Sequence, residues 1–151
     1  MNNWQKILVA VDATPTSEKA VNYIGDIAGK LKDVNVCLLH IYPEPPPGYY
    51  ASGKSLPEYQ KAKESEAETV FAKALAVLQK YGIKEAAISS ECRMADHATI
   101  SQTIINVQEG GQYGTIVVGK RGVSKAEEFL FGSISNALVH HSKDVAVWVI
   151  G

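Results

Sequence analysis

The sequence has few of the features that mark secreted, membrane-spanning or nucleic-acid-binding proteins. Only two of its 151 residues are cysteines, Cys37 and Cys92, so no disulfide framework is required and a reducing compartment is expected. The formal net charge is −1, which gives no general electrostatic reason to bind nucleic acid or an acidic membrane. No apolar run approaches the ~18 residues of a membrane-spanning helix, and the first one, Ile7 to Val11, is too short for the core of a secretory signal. We therefore expect a cytoplasmic protein without membrane insertion.

The composition is that of a folded globular protein. Hydrophobic residues make up 46% and charged residues 21% of the chain, a balance that argues against disorder. A chain of 151 residues is long enough for one ordinary domain with a continuous core. No internal repeat or linker interrupts it, so we predict a single domain over residues 1–151.

Apolar runs alternate with helical patterns along the whole chain. Such runs, apolar at successive positions, are typical of parallel strands that are covered on both faces. The first helix is expected to begin after Thr14, a suitable N-cap, with Pro15 at its first position, and its apolar face runs through Ala20, Ile24, Ile27, Ala28 and Leu31. The other elements expected are strands Lys6–Val11, Val34–Tyr42, Ala86–Cys92, Thr115–Val118 and Val145–Ile150, helices at about Glu58–Tyr81, His97–Glu109 and Ser133–His141, and a proline-rich loop without regular structure over 43–57.

Strand–helix alternation predicts an α/β fold: a doubly wound, Rossmann-like open sheet of five parallel strands with helices on both faces. If the first three strands wind one way and the last two the other way, the strand order is 3-2-1-4-5. Strands one and four are then neighbours at the switch point, where ligands bind outside the carboxyl ends of the strands. Asp12 and Gly119 follow or end these two strands.

Three glycines and a serine follow the fourth strand at suggestive distances. Gly119 ends the strand, Gly122 comes three residues later, and Gly132 with Ser133 opens the last predicted helix. Glycines admit close approach of backbone N–H groups to an oxyanion, and a helix N-terminus favours phosphate oxygens. Judged from spacing alone, turn formation explains the glycines about as well. The pattern is neither a Walker loop nor the Rossmann dinucleotide fingerprint.

The motif Gly-x2-Gly-x9-Gly-Ser resembles the nucleotide-binding motif of the ATP-binding universal stress proteins. Other segments are similar to that family as well: the opening strand and helix in ILVAVDATPTSEKA, the second strand in LLHIY, and the closing helix and strand in GSISNALVHHSKDVAVWVIG. The resemblance covers Lys6 to Ile150.

The resemblance implies an ATP site with Mg²⁺ or Mn²⁺ held through the phosphates. Asp12 would face the adenosine, Gly119 would lie by the ribose, and Gly122, Gly132 and Ser133 would surround the phosphates. It places the remaining nucleotide contacts at Ala10, Val11, Leu39, His40, Lys120, Arg121, Ile134 and Ser135.

The resemblance also implies a homodimer that pairs through the last strand, Val145 to Ile150, with Trp148 near the interface. The expected function is a nucleotide-responsive stress or signalling module with an unknown protein partner and at most slow ATP hydrolysis or autophosphorylation. No catalytic residue is assigned. The alternative is a dimeric interaction protein of the same fold that does not bind nucleotide.

Several of these residues have simpler interpretations. Asp12 is also placed to cap the first helix, and His40 is more typical of a hydrogen-bonded structural histidine than of a catalyst. Lys120 and Arg121 suit a solvated loop as well as a phosphate contact. His140 and His141 are adjacent on a helix and point in different directions, so they predict no metal site.

Overall fold

Five parallel strands form one open sheet in the order β3-β2-β1-β4-β5, which confirms the predicted topology. The computed structural model describes residues 3–120 and 134–151. The strands are β1 (Lys6–Ala10), β2 (Asn35–Pro43), β3 (Ile88–Ala95), β4 (Thr115–Gly119) and β5 (Ala146–Ile150).

Helices cover both faces of the sheet. They are α1 (Pro15–Ala28), α2 (Leu56–Lys80), α3 (Ile100–Gly111) and a fourth helix, α4, which is described over 134–141. The core beneath α1 and α2 is separate from the core beneath α3 and α4. None of the helices within 3–120 and 134–151 combines the length and hydropathy that crossing a lipid bilayer requires.

The apolar run of β1 is continuous because neighbouring side chains enter different cores. Ile7 and Val9 pack on the α1–α2 side, whereas Leu8 packs on the α3–α4 side. None of the three is more than 2% exposed. Successive side chains of a strand alternate between its faces, so a central parallel strand needs apolar residues at every position.

The first helix begins as predicted and ends earlier. Thr14 is its N-cap and accepts a hydrogen bond from the backbone of Ser17, and Pro15 occupies the first turn. The helix stops at Ala28, beyond which the backbone of Leu31 bonds only three residues back. The expectation that Leu31 extends the buried face is therefore wrong, and its side chain is 42% exposed.

The third helix begins three residues later than predicted. His97 has a φ of 49°, which lies in the left-handed region and is incompatible with a right-handed helix. The chain is capped instead at Thr99, whose hydroxyl accepts a hydrogen bond from the backbone N–H of Gln102 at 3.1 Å.

The proline-rich loop contains more regular structure than expected. A short 3₁₀ turn spans Tyr50–Ser52, and α2 begins at Leu56 because Ser55 and Glu58 form a capping box. The hydroxyl of Tyr59 donates to the Pro43 carbonyl oxygen at 2.6 Å, which fixes the start of the loop against α2.

Replacing Ser55 by alanine removes one half of this capping box. We expect Ser55→Ala to lower the free energy of unfolding by about 1 kcal/mol, the usual cost of losing an N-cap. Ser65→Ala, at an exposed mid-helix position of α2, is the matched control and should not destabilise the protein. Urea denaturation followed by circular dichroism measures both; equal effects of the two substitutions would contradict the capping role.

Candidate functional site

A cleft lies at the carboxyl ends of β1 and β4, and we call it the switch-point cleft. Apolar side chains of β2, β4, α3 and α4 form most of its walls, and polar groups at and just before the start of α1 form one side. The apolar wall consists of Leu39, Ile41, Ile100, Ile104, Val118 and Ile134, and the polar side consists of Asp12, Thr14, Thr16 and Ser17.

Some of the predicted site residues meet in this cleft. Those that line it are Ala10, Val11, Asp12, Leu39, Gly119 and Ile134. Lys120, Ser135 and His40 belong to the described part of the chain but are not part of the cleft wall. The other predicted positions, Arg121, Gly122, Gly132 and Ser133, lie outside the described residues.

Asp12 is held in place by the start of α1. One oxygen of its carboxylate accepts hydrogen bonds from the backbone N–H of Thr14, at 2.8 Å, and from the Thr14 hydroxyl. The backbone N–H of Asp12 donates to the hydroxyl of Ser17 at 2.9 Å. Thr14, not Asp12, is the N-cap of α1, so Asp12 supports the capping residue rather than capping the helix itself, and the same contacts hold its carboxylate on the cleft wall.

His40, on β2, does not line the cleft and faces the side of the sheet covered by α1 and α2. Its Nδ1 is 2.9 Å from the carbonyl oxygen of Val11, and because a carbonyl only accepts, Nδ1 carries the proton in this contact. The imidazole also meets the ring of Phe71 edge-on, with the centroids 6.4 Å apart. These contacts support the structural interpretation of His40, since they tie the end of β2 to the end of β1.

The model of the universal stress protein family matches residues 3–150. The chain belongs to the universal stress protein family. A search of curated proteins found no match.

Solved structures with the same fold cover nearly the whole chain. The hypothetical protein MJ0577 superposes with a TM-score of 0.75 at 22% identity, over 97% of this chain and 95% of the other. A universal stress protein in complex with cAMP gives 0.66 at 18% identity, over 97% and 96%. A universal stress protein from Archaeoglobus fulgidus in complex with dAMP gives 0.64 at 20% identity, over 97% of both chains.

Two residues of the apolar wall, Leu39 and Ile134, were among the predicted contacts of this universal stress protein, and the other four were not. Ile100 and Ile104 are four residues apart on α3, a spacing that predicts one apolar face of a helix but not that this face lines a cleft. Ile41 and Val118 look like ordinary strand residues. Nothing local distinguishes a core side chain from one that lines a crevice.

A group of possible metal ligands was also missed. Glu44, Asp96 and His97 follow β2 and β3, and their ligand atoms lie within 4.8 Å of one another. Glu44 and His97 are 53 positions apart in sequence, so no motif spacing reveals the group. All three side chains are exposed, and we assign them no ligand.

Gly119 has a packing role in this universal stress protein. A Cβ built on Gly119 would lie 2.9 Å from the carbonyl oxygen of Thr16 and 3.0 Å from its methyl group. The first of these neighbours is backbone and cannot rotate away. Glycine therefore lets the end of β4 pass close to the first turn of α1, whether or not a ligand is bound.

We expect Gly119→Ala to destabilise the protein by about 1–3 kcal/mol, the usual cost of forcing extra atoms into a packed contact. Gly110→Ala is the matched control because a Cβ there meets nothing within 4 Å; in a helix it should be neutral or stabilising. Thermal unfolding without ligand measures both variants. Unchanged stability of Gly119→Ala would show that the packing contact is unimportant.

Proposed function

We propose that this protein binds ATP in the switch-point cleft and acts as a nucleotide-responsive stress or signalling module. The observation that carries the proposal is the position of the cleft, outside the carboxyl ends of β1 and β4, where the strand order reverses. Open α/β sheets bind ligands at this point. Relatives of the same fold have been crystallised with cAMP and with dAMP, which supports an adenine nucleotide as the ligand class.

The described walls suit the adenosine part of the ligand. A purine ring is flat and largely apolar, and branched side chains such as Leu39, Ile104 and Val118 offer a matching surface. The Asp12 carboxylate is an acceptor for the exocyclic amine or for ribose hydroxyls. The same negative charge disfavours phosphate close to Asp12, so the phosphates belong at the opposite end.

The glycine motif is flanked by the cleft wall in sequence. Gly119, the first residue of the motif, and Ile134, the residue that follows it, both line the cleft. In our proposal Gly122, Gly132 and Ser133 contact the phosphates through backbone N–H groups and a hydroxyl. The divalent cation, Mg²⁺ or Mn²⁺, is held through the phosphates.

The described walls favour binding over rapid chemistry. Among the described residues that line the cleft, Asp12 is the sole carboxylate and there is no histidine or lysine. A general base must lie within hydrogen-bonding reach of the reacting group, whereas Asp12 is assigned to the adenosine end. We therefore propose a protein whose nucleotide-bound state is read by a partner, with at most slow hydrolysis or autophosphorylation.

Filling the cleft tests the nucleotide site. Ala10 lines it and packs on the α3–α4 side of the sheet, so Ala10→Leu adds bulk where the adenine is proposed to lie. Wild-type protein stripped of nucleotide should gain about 2.7 kcal/mol of stability with Mg·ATP at 100 times its dissociation constant, and Ala10→Leu should lose this gain.

Val70→Trp is the control, since Val70 on α2 is not part of the cleft wall. Differential scanning fluorimetry with and without millimolar Mg·ATP measures all three proteins. If Mg·ATP raises the melting temperature of Ala10→Leu as much as that of the wild-type protein, the nucleotide binds elsewhere. If Mg·ATP does not raise the melting temperature of the wild-type protein, ATP binding is refuted.

Nucleotide-independent dimerisation is the second candidate function. The close approach of Gly119 to Thr16 accounts for that glycine without a ligand, which favours a scaffold role. A wild-type protein that is dimeric but whose melting temperature does not change with ATP would support this alternative.

The edges of the sheet support pairing through β5. Its residues, Ala146 to Ile150, include no charged side chain, and Val149 is 38% exposed. Trp148 is half-buried and meets the exposed ring of Tyr23 edge-on, 6.3 Å between centroids. The opposite edge strand, β3, carries the ion pair of Glu91 and Arg93, and charged side chains are a common device against edge-to-edge pairing.

A lysine in β5 should therefore disrupt the proposed homodimer. We expect Val149→Lys to shift the protein from dimer to monomer in sedimentation velocity, because a buried, unpaired ammonium is costly at an interface. Ser90→Lys, at an exposed position of the β3 edge, should leave the sedimentation coefficient unchanged. If Ser90→Lys alone dissociates the dimer, the interface lies on the β3 edge and not on the β5 edge.

A further inference from the structure

A second cavity lies between α1 and α2 and reaches the ends of β1 and β2. We call it the α1–α2 groove; its volume is about 570 Å³. Small-molecule sites usually measure about 300–1,000 Å³. The groove shares Val11, Asp12 and Ser17 with the switch-point cleft but opens on the opposite face of the sheet.

The floor of the groove is apolar and pre-formed. Val11, Val21 and Ala74 are each less than 7% exposed, and Val70 and Val77 are half-buried beside them. These side chains belong to the core beneath α1 and α2, so their positions are fixed by packing. Such a surface suits the hydrocarbon part of a ligand.

The charges around the groove are unbalanced. Among the described residues that line it, three carry carboxylates, Asp12, Glu18 and Glu66, and one, Lys73, carries an ammonium. Glu66 also lies 3.3 Å from the ammonium of Lys63, but its side chain is 63% exposed, so solvent screens this pair. The remaining negative potential attracts a cation and repels the polyphosphate of a nucleotide.

We infer that the α1–α2 groove binds a small organic amine with an apolar body. The body lies on Val70, Ala74 and Val77, and the ammonium lies at the rim beside Glu18 and Glu66. The inference does not rest on the proposed nucleotide function, because the α2 residues that hold the body and the ammonium do not line the switch-point cleft, although Val11, Asp12 and Ser17 line both.

Three probes of the same shape and different charge test the inference. They are 2-phenylethylamine, the neutral 2-phenylethanol and the anion 3-phenylpropionate, each titrated into the ¹⁵N-labelled full chain. We expect saturable changes in the backbone amide chemical shifts around Val70 and Ala74. The amine should bind more tightly than the alcohol, and the anion should bind most weakly. Equal affinity for amine and anion, or no saturable shift with the amine at tens of millimolar, would overturn the proposal.

Substitutions on α2 locate the site and its charge. Glu66→Gln should weaken amine binding about two- to fivefold, the range for an exposed charge pair, and leave binding of the alcohol unchanged. Glu68→Gln, a nearby exposed position that does not line the groove, is the matched control. Equal loss in both variants would show a general charge effect rather than a site.

Blocking the groove gives an independent result. Val70→Trp should abolish binding of the amine and the alcohol; because it changes a half-buried residue, Thr69→Arg at an exposed rim position provides a second variant that adds charge without disturbing the core. Ala10→Leu should bind the amine normally. Retained amine binding in Thr69→Arg, or its loss in Ala10→Leu, would contradict the assignment to this groove.

Discussion

The burial of β1 on both faces is the constraint on which the rest of the structure depends. Leu8 and Val9 are wholly buried, and each enters a different core. A strand with two buried faces needs a neighbouring strand on each edge and helices above and below. Because parallel crossovers are right-handed, α1 and α2 then lie on one face and α3 on the other, and a crevice remains at the end of β1.

Features encoded by neighbouring residues were predictable from the sequence. The cap at Thr14 with Pro15, the apolar period of α1 and the strand runs depend on local chemistry, and the alternation of these elements predicted the strand order. Features set by distant contacts or by unusual backbone angles were not predictable. His97 adopts a left-handed φ of 49° that no residue type at that position demands, so the start of α3 was misplaced.

The role of Gly119 at the candidate site was also only partly predictable from the sequence. Its spacing from the later glycines predicted a role beside a ligand, and the structure places it in the cleft wall. The structure adds a reason that the motif does not contain, namely that the carbonyl oxygen of Thr16 lies only 2.9 Å from where a Cβ of residue 119 would be. One residue type satisfies both demands, since absence of a side chain serves packing and ligand access alike.

Asp12 lines both cavities, and the two differ in the number of carboxylates beside it. The groove side adds the carboxylates of Glu18 and Glu66, whereas on the cleft side Asp12 is the sole carboxylate among the described lining residues. A polyanion is therefore disfavoured in the groove, although the groove is the roomier of the two. Charge, rather than cavity volume, is therefore the reason for proposing the nucleotide site in the cleft.

The proposed nucleotide site and the proposed dimer edge are joined by the backbone of β4. Gly119 pairs in register with Ile150, and the N–H of Lys120 donates to the Ile150 carbonyl oxygen at 2.6 Å. A nucleotide that contacts Gly119 is therefore one strand away from the free edge of β5. Coupling requires that the ligand favours one of two arrangements of this edge. In the proposed mechanism, the β4–β5 ladder connects the cleft to the edge that a partner would meet.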